Sequence, residues 1–432
     1  MSARDTALSV LIACRKKQAW SDGTIKEYIA RDGLDRRDAA LASQLAYGVL
    51  QNRMMLDEWI GRFLNCKIDK LQPVVTDILR IAVYQITFLD KIPPSAAVNE
   101  AVSQCKRHAN PRAAGLVNAV LRNMLRTPEK LELPEDLCIR YSHPQELVNL
   151  LSDSIGKEHI EAFLRCDNEA PKTCVQVNTL RCDAAAAEEK LREEGFNVER
   201  HPWLDDCLLL SGGSIEHSAL FLSGAVYAQD AAAKLAAVCS GVKPGDTVLD
   251  CCSAPGGKSF ASAIQMQNTG KIISCDLHAH KTVLIEKGAD RLGLSVIHAE
   301  QSDASVLRDD FVRSFDVVIA DVPCSGYGVI RKKPDIRYKN VSETEKLPAL
   351  QLRILDTQAA YVRPGGILLY STCTVLKREN EEVCAAFLES HPEYTADDLP
   401  LPYMFGKRKQ LTLLPFEYGT DGFFIARFRR KE

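Results

Sequence analysis

Several common signatures are missing from this sequence of 432 residues. It has no run of about 20 apolar residues, which argues against a membrane span. Its first residues, MSARDTALSV, lack the basic-then-apolar pattern of a signal peptide, so we expect the chain in the cytoplasm. The fifteen cysteines include no C-x-x-C pair, which favours neither a disulfide framework nor a zinc site. We expect no membrane partner, no metal and a monomer.

Three site motifs are missing as well. The segment VLDCCSAPGGKS (248–259) has the GKS of a Walker A loop, but Cys252 stands where that motif needs its first glycine. No G-x-G-x-x-G dinucleotide motif occurs. A zinc-dependent base deaminase needs P-C-x-x-C, yet PCSGY ends on Tyr327 and no upstream H-x-E is placed to help. These gaps argue against an NTPase, a dinucleotide enzyme and a deaminase.

Residues 1–126 are predicted to form an all-helical domain. Apolar residues recur at three- and four-residue spacing in VVTDILRIAVYQITFL, PSAAVNEAVSQCKRH and GLVNAVLRNML. Residues 1–140 carry 21 Lys and Arg against 16 Asp and Glu, whereas the remainder carries 33 against 41. A mildly basic module joined to an acidic one is compatible with nucleic-acid binding by the first.

The rest of the chain divides into three parts. Residues 127–139 are rich in Pro and Glu and are predicted to be a linker. Residues 140–228 mix short strands with a helix and indicate a small α+β subdomain. In residues 229–432, the apolar strands DTVLDCC, KIISCD, SVIHA, FDVVIAD, GILLYST and FFIARF alternate with helices, which predicts a Rossmann-like α/β domain with a mostly parallel sheet. Ligands of such sheets bind beyond the carboxyl ends of the strands.

Polar residues follow the first three of these strands in an order that fits an adenosine. Gly256 and Gly257 form a tight turn that lets the backbone approach a ligand closely. Asp276 ends the second strand, where an acid can hold the two ribose hydroxyls. Asp303 follows the third strand, where an acid can accept a hydrogen bond from an adenine amino group. A phosphate-free adenosine such as S-adenosyl-L-methionine is therefore the expected cofactor.

Two cysteines also lie at strand ends, Cys324 in DVPCSGYG and Cys373 in STCTVLKREN. Most cysteines are inert buried thiols. Cytosine C5, however, is too poor a nucleophile to take a methyl group from a sulfonium unaided, and a thiolate that adds at C6 activates it. This chemistry needs one nucleophilic cysteine and a means of release, and two cysteines at neighbouring strand ends match that requirement.

The chain resembles the RNA cytosine-5 methyltransferase family in the order and spacing of three segments, DCCSAPGGKS, DVPCSGYGVIRKKPDIRY and STCTVLKRENEEV. Together with the N-terminal helices, this resemblance covers nearly the whole chain. Those helices resemble the NusB-type RNA-binding module, and the combination is similar to bacterial enzymes that modify 16S rRNA. The resemblance assigns covalent attack to Cys373 and release to Cys324. The residues alone leave this choice open, since DNA cytosine-5 methyltransferases use a Pro-Cys cysteine. One departure is Lys377, where the family usually has Pro.

The resemblance and the residue pattern together give three sets of site residues. The predicted catalytic residues are Cys373, Cys324, Asp321 and Lys258, with Asp321 at the cytosine N3/N4 edge. The predicted cofactor residues are Cys252, Ser253, Ala254, Pro255, Gly256, Gly257, Lys258, Asp276, Asp303 and Asp321. The predicted RNA contacts are Arg331, Lys332, Lys333, Arg337, Lys106, Arg107 and Arg122, with Tyr338 as a stacking surface. The target base is expected to swing out to reach the thiol.

Two other functions remain open. A tRNA methyltransferase of the same family would carry the same catalytic motifs, and the basic helical module favours the ribosomal substrate by resemblance. A catalytically silent RNA-binding or antitermination protein is a different class, but a pure binder needs neither Cys324, Cys373 nor the glycine turn.

Overall fold

Two units divide the chain, and neither is continuous in sequence. The structure, a computed structural model, describes residues 1–17 and 21–432, so residues 18–20 of the predicted helical region lie outside it. The N-terminal unit comprises residues 1–169 and 330–339, and the C-terminal unit comprises residues 170–329 and 340–432. Among the described residues, no helix is long and apolar enough to span a bilayer.

The N-terminal unit is helical, as predicted. Its helices are α1 (Ala3–Lys17), α2 (Ser21–Asp32), α3 (Arg36–Gln51), α4 (Arg53–Gly61), α5 (Pro73–Phe88), α6 (Pro94–His108), α7 (Pro111–Arg126), α8 (Leu137–Arg140), α9 (Gln145–Ile155) and α10 (Ile160–Cys166). Proline begins α5, α6 and α7, where its missing N–H would have no helical partner. The apolar stripes of these three helices meet in one core that includes Ile78, Val98 and Val117.

The segment predicted as a linker packs along α4. Trp59 donates its indole N–H to the carbonyl of Glu132 at 3.1 Å. Arg62 donates to the carbonyls of Lys130 (2.8 Å) and Glu132 (3.1 Å). Residues 127–139 are therefore attached to the helical unit and do not act as a free tether.

Arg337, predicted as an RNA contact, has another role in the N-terminal unit. Its side chain is fully buried. The guanidinium donates to the carbonyls of Gln51 (2.9 Å), Tyr141 (3.1 Å) and Asp167 (3.3 Å), and to Asn168 Oδ1 (2.8 Å). Burial lowers the pKa of this group, and the four acceptors offset its lost hydration. We therefore withdraw Arg337 from the predicted RNA contacts.

Tyr338 is likewise engaged within the N-terminal unit. Its hydroxyl donates to the carbonyl of Ser142 at 3.2 Å, and the guanidinium of Arg53 lies 3.5 Å from its ring centroid. A base could stack on this ring only after displacing that cation. We withdraw Tyr338 as a stacking surface.

The C-terminal unit begins with the predicted α+β subdomain. Its elements are β1 (Thr173–Val177), α11 (Ala184–Glu193), β2 (Asn197–Arg200), β3 (Cys207–Ser211), α12 (Ala219–Leu222) and β4 (Val226–Ala228). The strands form one antiparallel sheet in the order β2-β3-β1-β4. Leu191 of α11 and Leu208 of β3 belong to its core. The small α+β subdomain is confirmed, with β3 and β4 in addition to the predicted strands, but residues 140–169 of its predicted range are helical and belong to the N-terminal unit.

The larger sheet follows in the same unit. Its strands and helices are α13 (Ala231–Ser240), β5 (Thr247–Asp250), α14 (Gly257–Gln265), β6 (Lys271–Asp276), α15 (Ala279–Leu292), β7 (Ile297–Gln301), β8 (Phe315–Asp321), α16 (Leu347–Ala359), β9 (Val362–Thr372), α17 (Glu381–Ser390), β10 (Tyr394–Ala396), β11 (Gln410–Leu413), α18 (Pro415–Tyr418) and β12 (Phe423–Arg430). The order is β10-β12-β9-β8-β5-β6-β7, and β11 pairs with β12.

Five strands of this sheet, from β9 to β7, are parallel, and β12 runs antiparallel to β9. Helices cover both faces because the strands are apolar on both sides. Val317 packs in one core with residues of α13 and α14, and its neighbour Val318 packs in the other with residues of α16 and α17. The predicted α/β fold is confirmed, and the carboxyl ends of β5, β6, β7, β8 and β9 share one edge.

Candidate active site

The two cysteines meet at this edge of the sheet. Strands β8 and β9 are in parallel register, with Asp321 opposite Ser371. Cys373 directly follows β9, and Cys324 lies three residues beyond β8. Their Sγ atoms are 3.1 Å apart, and both side chains are partly exposed. The predicted pair of thiols is thus one local site.

A close backbone contact positions the loops that carry these cysteines. Gly328 donates its N–H to the carbonyl of Cys373 at 3.0 Å and accepts from the N–H of Gly422 at 2.8 Å. A Cβ at Gly328 would lie 1.9 Å from the carbonyl oxygen of Gly422, which excludes any side chain there. The Cys324 loop, the Cys373 loop and the start of β12 are therefore held together by main chain.

Lys258 and Asp321 form an ion pair beside the thiols. Lys258 Nζ donates to Asp321 Oδ2 at 2.6 Å, and Ser371 Oγ donates to Asp321 Oδ1 at 2.8 Å. Burial acts to lower the pKa of Lys258, but Asp321, with smaller effects from Asp250 and Cys373, holds that pKa above its usual value. The site therefore keeps a fixed cation next to the cysteine pair, and a cation favours the thiolate form of a neighbouring cysteine.

The thiol of Cys324 is held in its neutral form. Its hydrogen bond to Cys373 comes first and its burial second, and together they raise the pKa of Cys324 well above its usual range. The charges of Glu379 and Asp321 act in the same direction. One sulfur of the pair is thus suited to carry the proton of their shared hydrogen bond.

The glycine turn connects β5 to α14. Residues 251–256 form it, with a cis bond between Ala254 and Pro255, and Gly257 and Lys258 begin the helix. Gly256 has a φ of 110°, and a Cβ there would lie 2.4 Å from Cζ of Phe260. Backbone conformation and packing both require glycine at this position, so the turn presents main chain at the site edge.

The two predicted acids for an adenosine lie on adjacent strands. Asp276 ends β6 opposite Gln301 of β7, and Asp303 follows β7 by two residues. Asp276 accepts from the N–H of His278 at 3.0 Å and lies 3.6 Å from Lys281 Nζ. Asp303 is exposed, and the N–H and hydroxyl of Ser305 lower its pKa. The structure thus brings both acids to the edge that carries the glycine turn and the cysteines.

The predicted RNA contacts lie in the N-terminal unit. Lys106 lies in the last turn of α6 and Arg122 lies on α7, and both are exposed. Arg107 pairs with Asp5 at 2.9 Å, and although burial acts to raise the pKa of that carboxyl, hydrogen bonds led by Arg107 hold it at about 2. Arg331, Lys332 and Lys333 lie in the segment 330–339, with Lys333 exposed. Lys106, Arg122 and Lys333 are exposed members of the predicted set.

Four side chains behind the cysteines were not predicted from the sequence. They are Ser371, Gln351, Glu379 and Asn380, all fully buried. Lys377, which stands where the family usually has Pro, begins a 3-10 turn that ends at Glu379. Because the first position of such a turn is one that Pro favours, Lys377 leaves the local geometry intact. Among the described residues, no group of three or more His, Cys, Asp and Glu side chains could hold a metal ion.

Three family models match this chain, each over a separate range. The model of 16S rRNA methyltransferase RsmB/F matches residues 238–429, and the model of the NusB family matches residues 1–126. The ferredoxin-like domain of Methyltr_RsmF/B-like proteins matches residues 143–215.

Individual relatives match over most of their length. A Bacillus subtilis (strain 168) protein named "Probable ribosomal RNA small subunit methyltransferase B" is 40% identical over 443 residues, which cover 100% of this chain and 99% of that protein. Ribosomal RNA small subunit methyltransferase B of Vibrio cholerae serotype O1 is 31% identical over 92% of this chain and 91% of that protein. The crystal structure of PH0851 superposes with a TM-score of 0.81 at 24% identity, over 99% of this chain and 98% of the other.

Proposed function

The chain belongs to the ribosomal RNA small subunit methyltransferase B family, and from this premise we propose that it transfers a methyl group from S-adenosyl-L-methionine to C5 of a cytosine in 16S rRNA. The observation that carries the cytosine-5 assignment is the pair of thiols at 3.1 Å on the edge of the sheet. Transfer to a nitrogen or an oxygen needs no cysteine, because those atoms have lone pairs of their own. Transfer to C5 needs a nucleophile at C6.

In this reaction Cys373 attacks first. Its thiolate forms a bond to C6, and the electron pair of the C5–C6 double bond becomes available to form the new bond from C5 to the methyl group. The covalent RNA–Cys373 adduct then carries both a methyl group and a proton on C5. The next step must remove that proton.

Cys324 assists release. Once Cys373 is bonded to C6, its sulfur no longer carries negative charge, so Cys324 can lose its proton to solvent and act as the base for the C5 proton. The C5–H electron pair then restores the C5–C6 double bond, and the bond from C6 to Cys373 breaks. Cys373 leaves as a thiolate, ready for the next cytosine.

Lys258 and Asp321 support both steps from their ion pair. The ammonium of Lys258 stabilises the attacking and departing thiolate of Cys373. Asp321 has both oxygens engaged by Lys258 and Ser371, but each carboxylate oxygen has a further lone pair. That lone pair is available to the N3/N4 edge of the cytosine.

The residues present fit S-adenosyl-L-methionine, whose role is to supply an electrophilic methyl group. The carboxylates of Asp276 and Asp303 can accept from ribose hydroxyls and the adenine amino group. Half-exposed Leu277 offers apolar surface beside them. Gln229 Oε1 is buried and has no hydrogen-bond partner among the described residues, next to Gly257 of the glycine turn. A polar ligand at this turn would satisfy that oxygen.

Bisulfite sequencing of rRNA and tRNA from cells with and without the protein tests this function. We expect one or more 16S rRNA cytosines to lose protection in the deletion strain and to regain it when the purified enzyme and S-adenosyl-L-methionine are added to that rRNA. Loss of protection in tRNA alone would assign the chain to the tRNA branch of this chemistry. We further infer that the enzyme works as a monomer in the cytoplasm, where bacterial rRNA is located.

Cofactor affinity is expected to depend on Asp276. Asp276→Ala should weaken S-adenosyl-L-methionine binding by about 1–3 kcal/mol, because hydrogen bonds to a carboxylate are lost. Isothermal titration calorimetry measures this directly. Asp290→Ala, which removes an exposed carboxylate of α15, is the matched control and should bind as the unchanged protein does. Equal affinity in the two variants would exclude Asp276 from the cofactor site.

RNA affinity is expected to depend on Lys106 and Arg122. The double alanine variant should bind 16S rRNA more weakly, and its log–log salt slope should fall by about 1.4, since about 0.7 counterions are released per neutralised phosphate of single-stranded RNA. Filter binding at a series of salt concentrations from about 50 to about 300 mM gives this slope. A control variant with alanine at exposed Lys190 and Lys287 loses the same charge elsewhere. If both variants showed one slope, these helices would not be the RNA contact.

A further inference from the structure

Glu379 is a buried carboxylate that the reaction steps above do not use. It ends the 3-10 turn after the Cys373 loop, and its side chain is 0% exposed. Among the residues that the structure describes, it forms no ion pair, and its Oε1 accepts no hydrogen bond. A buried carboxyl group without a cation partner is uncommon in proteins, so its presence here needs an explanation.

The other oxygen of Glu379 holds the Cys324 loop. Its Oε2 accepts from the N–H of Ser325, the residue after Cys324, at 2.9 Å. It also accepts from Gln351 Nε2 at 2.9 Å, and Gln351 Nε2 lies 3.0 Å from the carbonyl of Pro323, the residue before Cys324. The carboxylate is thereby connected to the backbone on both sides of Cys324.

Hydrogen bonds also hold the backbone around Glu379 to the Cys373 loop. Its carbonyl accepts from the hydroxyl of Tyr370 at 2.6 Å. The next residue, Asn380, accepts from Thr372 Oγ1 at 2.6 Å and donates to the carbonyl of Thr374 at 3.0 Å, so it contacts the residues before and after Cys373. One short segment therefore fixes both sulfur atoms relative to a single negative charge.

The charge of Glu379 acts on Cys324. Cys373, Glu379 and Asp321 are the acidic groups that act on Cys324, and Tyr370 faces it as well. The cation of the site, Lys258, interacts instead with Asp321 and Cys373. Negative charge on Cys324 is thus opposed on the Glu379 side, whereas negative charge on Cys373 is favoured by Lys258.

We propose, on the basis of the proposed cytosine-5 transfer, that Glu379 is a positioning residue that assigns the roles of the two cysteines. Its buried carboxylate, which accepts from Ser325 and Gln351 beside Cys324, opposes a thiolate on Cys324 and so leaves the attack to Cys373. Without the charge of Glu379, a thiolate on Cys324 would be opposed less strongly. A thiolate on Cys324 would be the wrong nucleophile, because the cation of Lys258 acts on Cys373.

Alkylation of Cys324 measures this assignment without RNA or methyl donor. In a Cys373→Ala background, Cys324 is the only thiol of the pair. Its labelling by iodoacetamide at about pH 8, roughly half a unit below the pKa of a free thiol, follows its thiolate fraction. We expect E379Q to raise the initial rate about tenfold, the effect of one pKa unit. The amide oxygen of E379Q can still accept from Ser325 and Gln351, so the loop contacts are kept.

Two control thiols in the same chain report on the reagent and the fold. Exposed Cys66 should react equally in all variants, and buried Cys239 should stay unlabelled if the fold is intact. Ser325→Ala is the matched structural control. It removes the hydroxyl contact to Thr374 (2.8 Å) but keeps the charge of Glu379 and the N–H that it accepts, so the Cys324 rate should not change.

An unchanged Cys324 rate in E379Q, with Cys239 still protected, would overturn the proposal. An equal acceleration by Ser325→Ala would also overturn it, because loosening of the loop would then explain the effect. If E379Q does not fold, E379D replaces it. The shorter side chain of this variant moves the charge away from Cys324, so the labelling rate of Cys324 is expected to rise at least about twofold. An unchanged rate in E379D would contradict the proposal. Because the readout needs no substrate, the proposed methyl transfer can fail or hold independently of it.

Discussion

Replacing Cys373 with alanine is expected to abolish methylation and to leave no covalent protein–RNA complex. Without a thiolate at C6, cytosine C5 does not become nucleophilic, and the first step does not occur. Loss of an enzyme's nucleophile lowers turnover by on the order of 10⁴-fold or more. The remaining thiol, Cys324, is not expected to replace it, because burial and the charges of Glu379 and Asp321 still raise its pKa.

Transfer of tritiated methyl groups from S-adenosyl-L-methionine to 16S rRNA measures this loss. Denaturing gels without thiol reagents show whether an adduct forms. Cys66→Ala, which removes an exposed thiol far from the strand ends in sequence, is the control and should keep full activity. Wild-type methylation by Cys373→Ala would remove this cysteine from the mechanism, and an adduct in this variant would show that the two roles are reversed.

Replacing Cys324 with alanine is expected to give the opposite result on a denaturing gel, a covalent protein–RNA complex. Attack and methyl transfer still occur, but the C5 proton is not removed, and the enzyme stays bonded to RNA through Cys373. Turnover should fall by on the order of 10²–10⁴-fold, the usual contribution of an acid–base group. One methyl group per enzyme should nevertheless be transferred, since the last step is the one that fails.

A single-turnover experiment distinguishes this variant from an inactive one. With enzyme in excess, Cys324→Ala should convert the RNA to a slowly migrating band that carries the tritiated methyl group and that protease digestion removes. The double variant with Cys373→Ala should show no such band. Free methylated RNA released at the wild-type rate from Cys324→Ala would contradict the assignment of Cys324 to release.

The main features of the fold could be predicted because the signals are local. A parallel strand covered on both faces is a continuous apolar run, and all six predicted strands of the large sheet are present. Short β10 and β11 were not predicted, since they border β12 and have too few residues for a pattern. The strand ends then follow from the sheet: Asp321 and Cys373 had to lie on one edge once β8 and β9 were parallel neighbours.

Contacts between distant segments could not be predicted in the same way. Arg337 stands in a run of cations that is typical of a solvated loop, and its acceptors at Gln51 and Tyr141 are far away in sequence. Glu379 likewise gives no sign in the sequence that its carboxylate accepts from Ser325, 54 residues earlier. Charge alone does not tell whether a side chain will face solvent or satisfy carbonyls in a core, because that depends on tertiary structure.

The place of Arg337 also has a consequence for the order of synthesis. The N-terminal unit includes residues 330–339, which are translated long after residue 169. At about 5–20 residues per second, the ribosome needs roughly 10–30 s to make the intervening chain. During that interval the carbonyls of Gln51, Tyr141 and Asp167 lack the guanidinium that later binds them. A nascent chain that stops before residue 330 therefore contains the described helices α1 to α10 but lacks Arg337, which completes the unit.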